Sequence, residues 1–81
     1  NMVVVTITLS VSTTIASGLK HTLYHIADTS LKPAHTYYDT YVDGTNINRV
    51  EVTADGDINV TSSIQLTTGM WLIAKAVYFR G

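Results

Sequence analysis

Hydrophobic and polar positions alternate with a period of two along most of this chain. In residues 2–9, Val3, Val5, Ile7 and Leu9 interleave with Val4, Thr6 and Thr8, which predicts a strand with one side in a core. β-Branched residues and tyrosine recur, and no stretch carries the stripe of an amphipathic helix. Residues 10–18 are rich in serine and threonine and close at Ser17-Gly18, predicting a turn with a short edge strand around Thr13 to Ala16. Residues 19–27 read as a strand with Leu19, His21, Leu23 and His25 on one face and Lys20, Thr22, Tyr24 and Ile26 on the other. Asp28-Thr29-Ser30 and Lys32-Pro33 form a connection, because proline cannot donate to a central ladder.

Residues 35–43 form the next strand, Asp43-Gly44-Thr45-Asn46 is its turn, and residues 47–53 return with Val50 and Val52 inward and Arg49 and Glu51 outward. Asp55-Gly56 is expected to supply both positive-φ positions of a tight hairpin turn ahead of Asp57-Ile58-Asn59-Val60. A polar stretch with Ile64 and Leu66 in alternation leads to Gly69. The last strand, residues 70–80, is apolar on both faces: Trp71, Ile73, Val77 and Phe79 on one, Leu72, Ala74, Ala76 and Tyr78 on the other. Short strands punctuated by turns predict one all-β domain over residues 1–81, a small antiparallel β-sandwich or jelly-roll-like barrel of six to eight strands.

Composition adds a reason to associate. A domain of 81 residues buries only roughly 60% of the surface its unfolded chain exposes. No cysteine is present to staple it, and 46% of its residues are hydrophobic against 14% charged. Cover for the second face of the last strand is expected from identical chains around a symmetry axis. A net charge of −1 with scattered charges offers no field for nucleic acid. No apolar run approaches the roughly 20 residues of a membrane-spanning helix. The opening on Asn1 leads to the expectation of a fragment of a longer protein.

Candidate chemistry is sparse. His21 and His25 would sit roughly 13 Å apart along a strand, too far to share a metal. Asp39 and Asp43 are separated in the same way, beyond the carboxylate spacing of glycosidases, and no nucleophile turn or phosphate loop is present. Neither a cofactor nor an enzymatic activity is expected. The row His35, Tyr37, Asp39, Tyr41 and Asp43 places rings and hydrogen-bonding groups on one face of a strand, a mixture that suits a saccharide. Tyr37 and Tyr41 serve equally well as core or subunit contacts. Trp71 is either an interface anchor or a sugar platform, and Arg49 with Glu51 either extends a polar site or forms a pair.

The order of landmarks resembles the C-terminal head domain of receptor-binding proteins from the tail tips and baseplates of phages of Gram-positive bacteria, the lactococcal siphophage type. The matching features are the alternating strand Val3 to Leu9, the Ser17-Gly18 turn, Lys32-Pro33, Val50-Glu51-Val52, Gly56-Asp57-Ile58-Asn59-Val60, Gly69-Met70-Trp71 and the close at Tyr78. This resemblance implies a homotrimeric head on the virion, attaching it outside the cell to host cell-wall saccharides and joined to other tail or baseplate proteins through a preceding region. It transfers no site residue, so His35, Tyr37, Asp39, Tyr41, Asp43, Arg49 and Trp71 stand as saccharide-binding candidates on their side-chain chemistry alone. The alternative is a trimerising cap without a ligand.

Overall fold

A computed structural model describes residues 2–80 and is all-β, with no α-helix among them. Six strands run in chain order: β1 (Met2–Ser10), β2 (Lys20–His25), β3 (Tyr37–Asp43), β4 (Asn46–Val52), β5 (Asp57–Ser62) and β6 (Trp71–Phe79). They form two antiparallel sheets, one of two strands in the order β1-β6 and one of four in the order β2-β5-β4-β3. The short edge strand expected around Thr13 to Ala16 is reduced to a single bridge between Ile15 and Leu66. A 3-10 turn, Thr29–Leu31, capped by the Asp28 side chain, occupies the proline-containing connection.

Alternation works as physics requires for strands with one covered face. Along β6, Leu72, Ala74, Ala76 and Tyr78 are buried, whereas Trp71 and Phe79 are 60% and 73% exposed. Of that second apolar face, expected to be covered, Ile73 and Val77 are half-buried and only the ends, Trp71 and Phe79, stand open in a single chain. Along β4, Val50 and Val52 are buried as predicted, and so are Asn46 and Asn48, polar residues on the same face. Their burial is compensated: the Asn48 amide donates to the Ile73 carbonyl of the opposite sheet at 2.7 Å, and Ser62 and Asn46 hydrogen-bond beside it. This polar pin fixes the two layers relative to each other.

Two local expectations need correction. The faces of residues 19–27 do not hold through to the end, because a β-bulge shifts the β2–β5 register between Thr22 and Tyr24. His21 and Leu23 consequently point inward, but beyond the bulge Ile26 is buried and His25 lies outside, bonded to Asp57 at 2.7 Å. The second correction concerns Asp55-Gly56. Only Gly56 has a positive φ (100°), and its N–H donates to the Thr53 carbonyl while Thr53 N–H donates to Asp57. This is a three-residue loop ending in a left-handed glycine, not a two-residue turn.

The layers meet unevenly. β6 runs close beside β3, closing one side of the sandwich, while β1 and β2 are left unpaired across the other. The inward residues of β1, Val3 to Leu9, are only half-buried as a result.

Candidate functional site

The hairpin joining β3 and β4 decides which tyrosines face solvent. Gly44 and Thr45 form its turn, so Asp43 stands opposite Asn46, and the register carries Tyr37 to Val52, Asp39 to Val50 and Tyr41 to Asn48. Directly paired residues share a face of the sheet. Tyr37, Asp39, Tyr41 and Asp43 therefore lie on the side of buried Val50 and Val52, and all four are half-buried. Tyr37 packs its ring 5.8 Å from that of Tyr78. The row expected to meet a saccharide thus looks inward from the edge strand. His35 precedes β3, and with Tyr37 it lines only a smaller cleft of about 360 Å³ beside Phe79 and Arg80.

The opposite parity of β3 is the one that reaches solvent, and it belongs to a polar face of which the sequence reading placed only Arg49 and Glu51. Two rungs cross the outer surface of the four-stranded sheet. In the first, Tyr38 stands opposite Glu51, Glu51 opposite Asn59, and Asn59 opposite Thr22. In the second, Thr40, Arg49, Thr61 and Lys20 follow in the same way. All of these but Thr22 line an open concavity of about 670 Å³.

Hydrogen bonds order the first rung. Thr22 donates to the Asn59 side-chain oxygen at 2.6 Å, and the Asn59 amide donates to Glu51 at 2.7 Å. From the second rung Lys20 Nζ reaches Glu51 at 3.1 Å. The Asn59 amide, with the Lys20 ammonium and the Tyr38 hydroxyl behind it, holds the Glu51 carboxyl below its usual 4.5 against the opposing effect of partial burial. Glu51 is thereby a fixed acceptor. Tyr38, 68% exposed, offers its ring beside this array, and Arg49 has no ion-pair partner among the described residues. An unpaired guanidinium keeps its whole fork of donors available.

Of the seven residues singled out in the sequence, Arg49 alone lines this face with its side chain, since Asp39 contributes to the concavity from the other side of the sheet. Trp71 lies on the outer surface of the two-stranded sheet, on the far side of the sandwich from Arg49. Tyr38, Glu51, Asn59 and Lys20 complete the group. Their common face could have been found by extending the outward parity of Arg49 and Glu51 across the Gly44–Thr45 hairpin. No known protein family matches the chain, and neither curated proteins nor solved structures supply a significant match.

Proposed function

We propose that this chain is a non-enzymatic receptor-binding head that attaches a phage virion to saccharides of the host envelope, holding them on the outer face of its four-stranded sheet. The supporting observation is the exposed Tyr38 ring beside a pre-ordered acceptor, Glu51, and an unpaired donor fork, Arg49. A sugar lays its C–H face on an aromatic ring and gives its hydroxyls to such neighbours. The face is shallow, so one site binds weakly, and identical copies on one particle supply strength through avidity. A binding role also suits the carboxylates here: Glu51 is engaged by Lys20 and Asn59, and Asp57 by His25. Phage and host enter this proposal through the resemblance of the landmarks alone.

Calorimetric titration of the protein with host cell-wall polysaccharide tests it. Tyr38→Ala and Arg49→Ala should each weaken binding about tenfold, the loss of one stacking or charge-assisted contact, with an unchanged far-UV spectrum. Absence of binding by the assembled wild-type protein at millimolar saccharide would refute the proposal.

One observation favours the second reading, a trimerising cap. On the outer face of the β1–β6 sheet, Met2, Val4 and Phe79 expose an apolar patch at one end and Trp71 at the other, with Thr6 and Lys75 between them. Sedimentation of the wild type and of Val4→Asp separates the two: the cap requires assembly that the aspartate abolishes, with or without saccharide binding.

A further inference from the structure

Beside the polar face and the apolar outer sheet, the sandwich has a third unfinished surface, the seam between β1 and β2. It is a groove of about 690 Å³ running along the free edge of β1 from Val3 to Leu9, roughly 20 Å at about 3.4 Å per residue, floored by Leu23, Ile26 and Ile58. The opposite side of the sandwich is closed by the approach of β6 to β3. Burial records the difference within a single sheet. The inward side chains of β6 are 2% exposed or less, whereas those of its partner β1 are only half-buried. What is lacking therefore lies on the free side of β1.

The edges of the two sheets are not equally protected. β3 carries Asp39 and Asp43, and β2 carries Lys20 and two histidines, whereas β1 has no charge, proline or bulge in nine residues. Natural edges that must stay unpaired carry such guards. We infer that the β1 edge is a docking site for one extended, uncharged peptide strand, apolar at alternate positions and donated by another protein chain. Its backbone would extend the β1 ladder, and its inward side chains would rest on Leu23, Ile26 and Ile58, in the manner of β-strand addition.

Polarity and shape select this occupant. Among the described residues, Asp28, whose Oδ1 accepts from the N–H and hydroxyl of Ser30, is the one charged side chain lining the groove, and the rest of the lining is uncharged and offers a charged residue no partner. The four-stranded sheet continues beneath the seam as far as β2. A second copy approaching edge-on with both its layers meets β2, whereas a single strand passes above it. This inference is independent of saccharide binding and survives its failure.

The probe is a peptide of the β1 sequence, Val-Val-Val-Thr-Ile-Thr-Leu, flanked by lysines for solubility, with a counterpart N-methylated at alternate residues. The readout is amide exchange and methyl shifts of the labelled protein. Saturable binding should slow exchange of alternate amides in Val3 to Leu9 at least about tenfold and shift Leu23 and Ile26, while the N-methylated peptide, stripped of ladder donors, fails. Three outcomes would each overturn the assignment. One is no saturable binding at millimolar peptide, and another is binding that shifts Trp71 and Phe79 instead. The third is slowed β1 exchange that appears with rising protein concentration and no peptide, which would seat a second copy in the seam.

Discussion

Gly56 and Gly69 adopt almost the same positive φ, 100° and 94°, in very different surroundings, and their alanine variants separate conformational strain from collision. At Gly69 a Cβ would meet nothing within 4 Å. Gly69→Ala should then cost only the left-handed backbone, about 1–2 kcal/mol. At Gly56 the Cβ would stand 2.5 Å from the Ile26 carbonyl oxygen, a backbone atom that cannot rotate away, and against the Lys32 side chain, which can. The same two residues are joined by the Ile26 N–H donating to the Gly56 carbonyl at 2.8 Å, so relief of the collision weakens that bond too. Strain, a damaged hydrogen bond and displaced backbone sum to about 3–5 kcal/mol. A domain of this length holds only about 4–12 kcal/mol in all. Thermal unfolding followed by far-UV circular dichroism, at one protein concentration, should place Gly69→Ala roughly 10 °C below wild type and Gly56→Ala at least roughly 20 °C below, or unfolded. Equal midpoints for the two variants would show that the Ile26–Gly56 contact yields freely, and the account of this loop would fail.

Asn48→Ala should lose about 2–3 kcal/mol in urea unfolding, because the Ile73 carbonyl between the layers is left without its donor. Tyr37→Ala should destabilise the domain by about 3 kcal/mol through its packing on Tyr78, whereas Tyr38→Ala should leave the unfolding midpoint within about 0.5 kcal/mol of wild type. Glu51 gives a pH signature of definite sign. Its folded carboxyl is held below the unfolded value near 4.5, so its support is fully present above that value and is lost as pH falls through the lower, folded one. The stability difference between wild type and Glu51→Gln should accordingly shrink as urea titrations are moved from pH 6 to pH 3, and a difference that grows on acidification would contradict the Lys20–Asn59–Glu51 geometry.

Strands were legible because each buries one face, and a period of two in Val, Ile and Leu survives whatever the partner strand is. What escaped were features that depend on pairing. The bulge at Thr22/Tyr24 arises from the match of β2 to β5, so His25 and Ile26 exchange sides with no local signal. Asn46 and Asn48 are buried because Ser62 and the Ile73 carbonyl receive them, partners 16 and 25 residues away. β3 offered tyrosine on both parities, and no composition argument chooses between Tyr37 and Tyr38. Geometry does: a two-residue turn at Gly44–Thr45 locks Tyr37 opposite Val52, and the inward preference of valine then sends Tyr38 out. Hairpin length thus carries information about a binding face that residue type alone lacks.

The uncovered apolar surface of this domain is of two kinds, and each suits a different cover. On the outer β1–β6 sheet, Met2, Val4, Trp71 and Phe79 expose side chains from strands whose ladder to each other is complete. Another such face can pack on them without any new backbone hydrogen bond, which suits a repeated copy. Along the seam the exposed groups include the backbone edge of β1 as well as half-buried Val3, Val5, Ile7 and Leu9. Side chains laid over that edge would bury N–H and C=O groups without partners, at about 1–3 kcal/mol each, whereas a strand satisfies them as it covers the apolar floor. Phe79 lies on the outer face and outside the seam, whereas Val3 lines it. The two strands of this sheet therefore report on separate associations, and a charge at Phe79 should abolish assembly through the outer face while leaving peptide protection of the β1 edge intact.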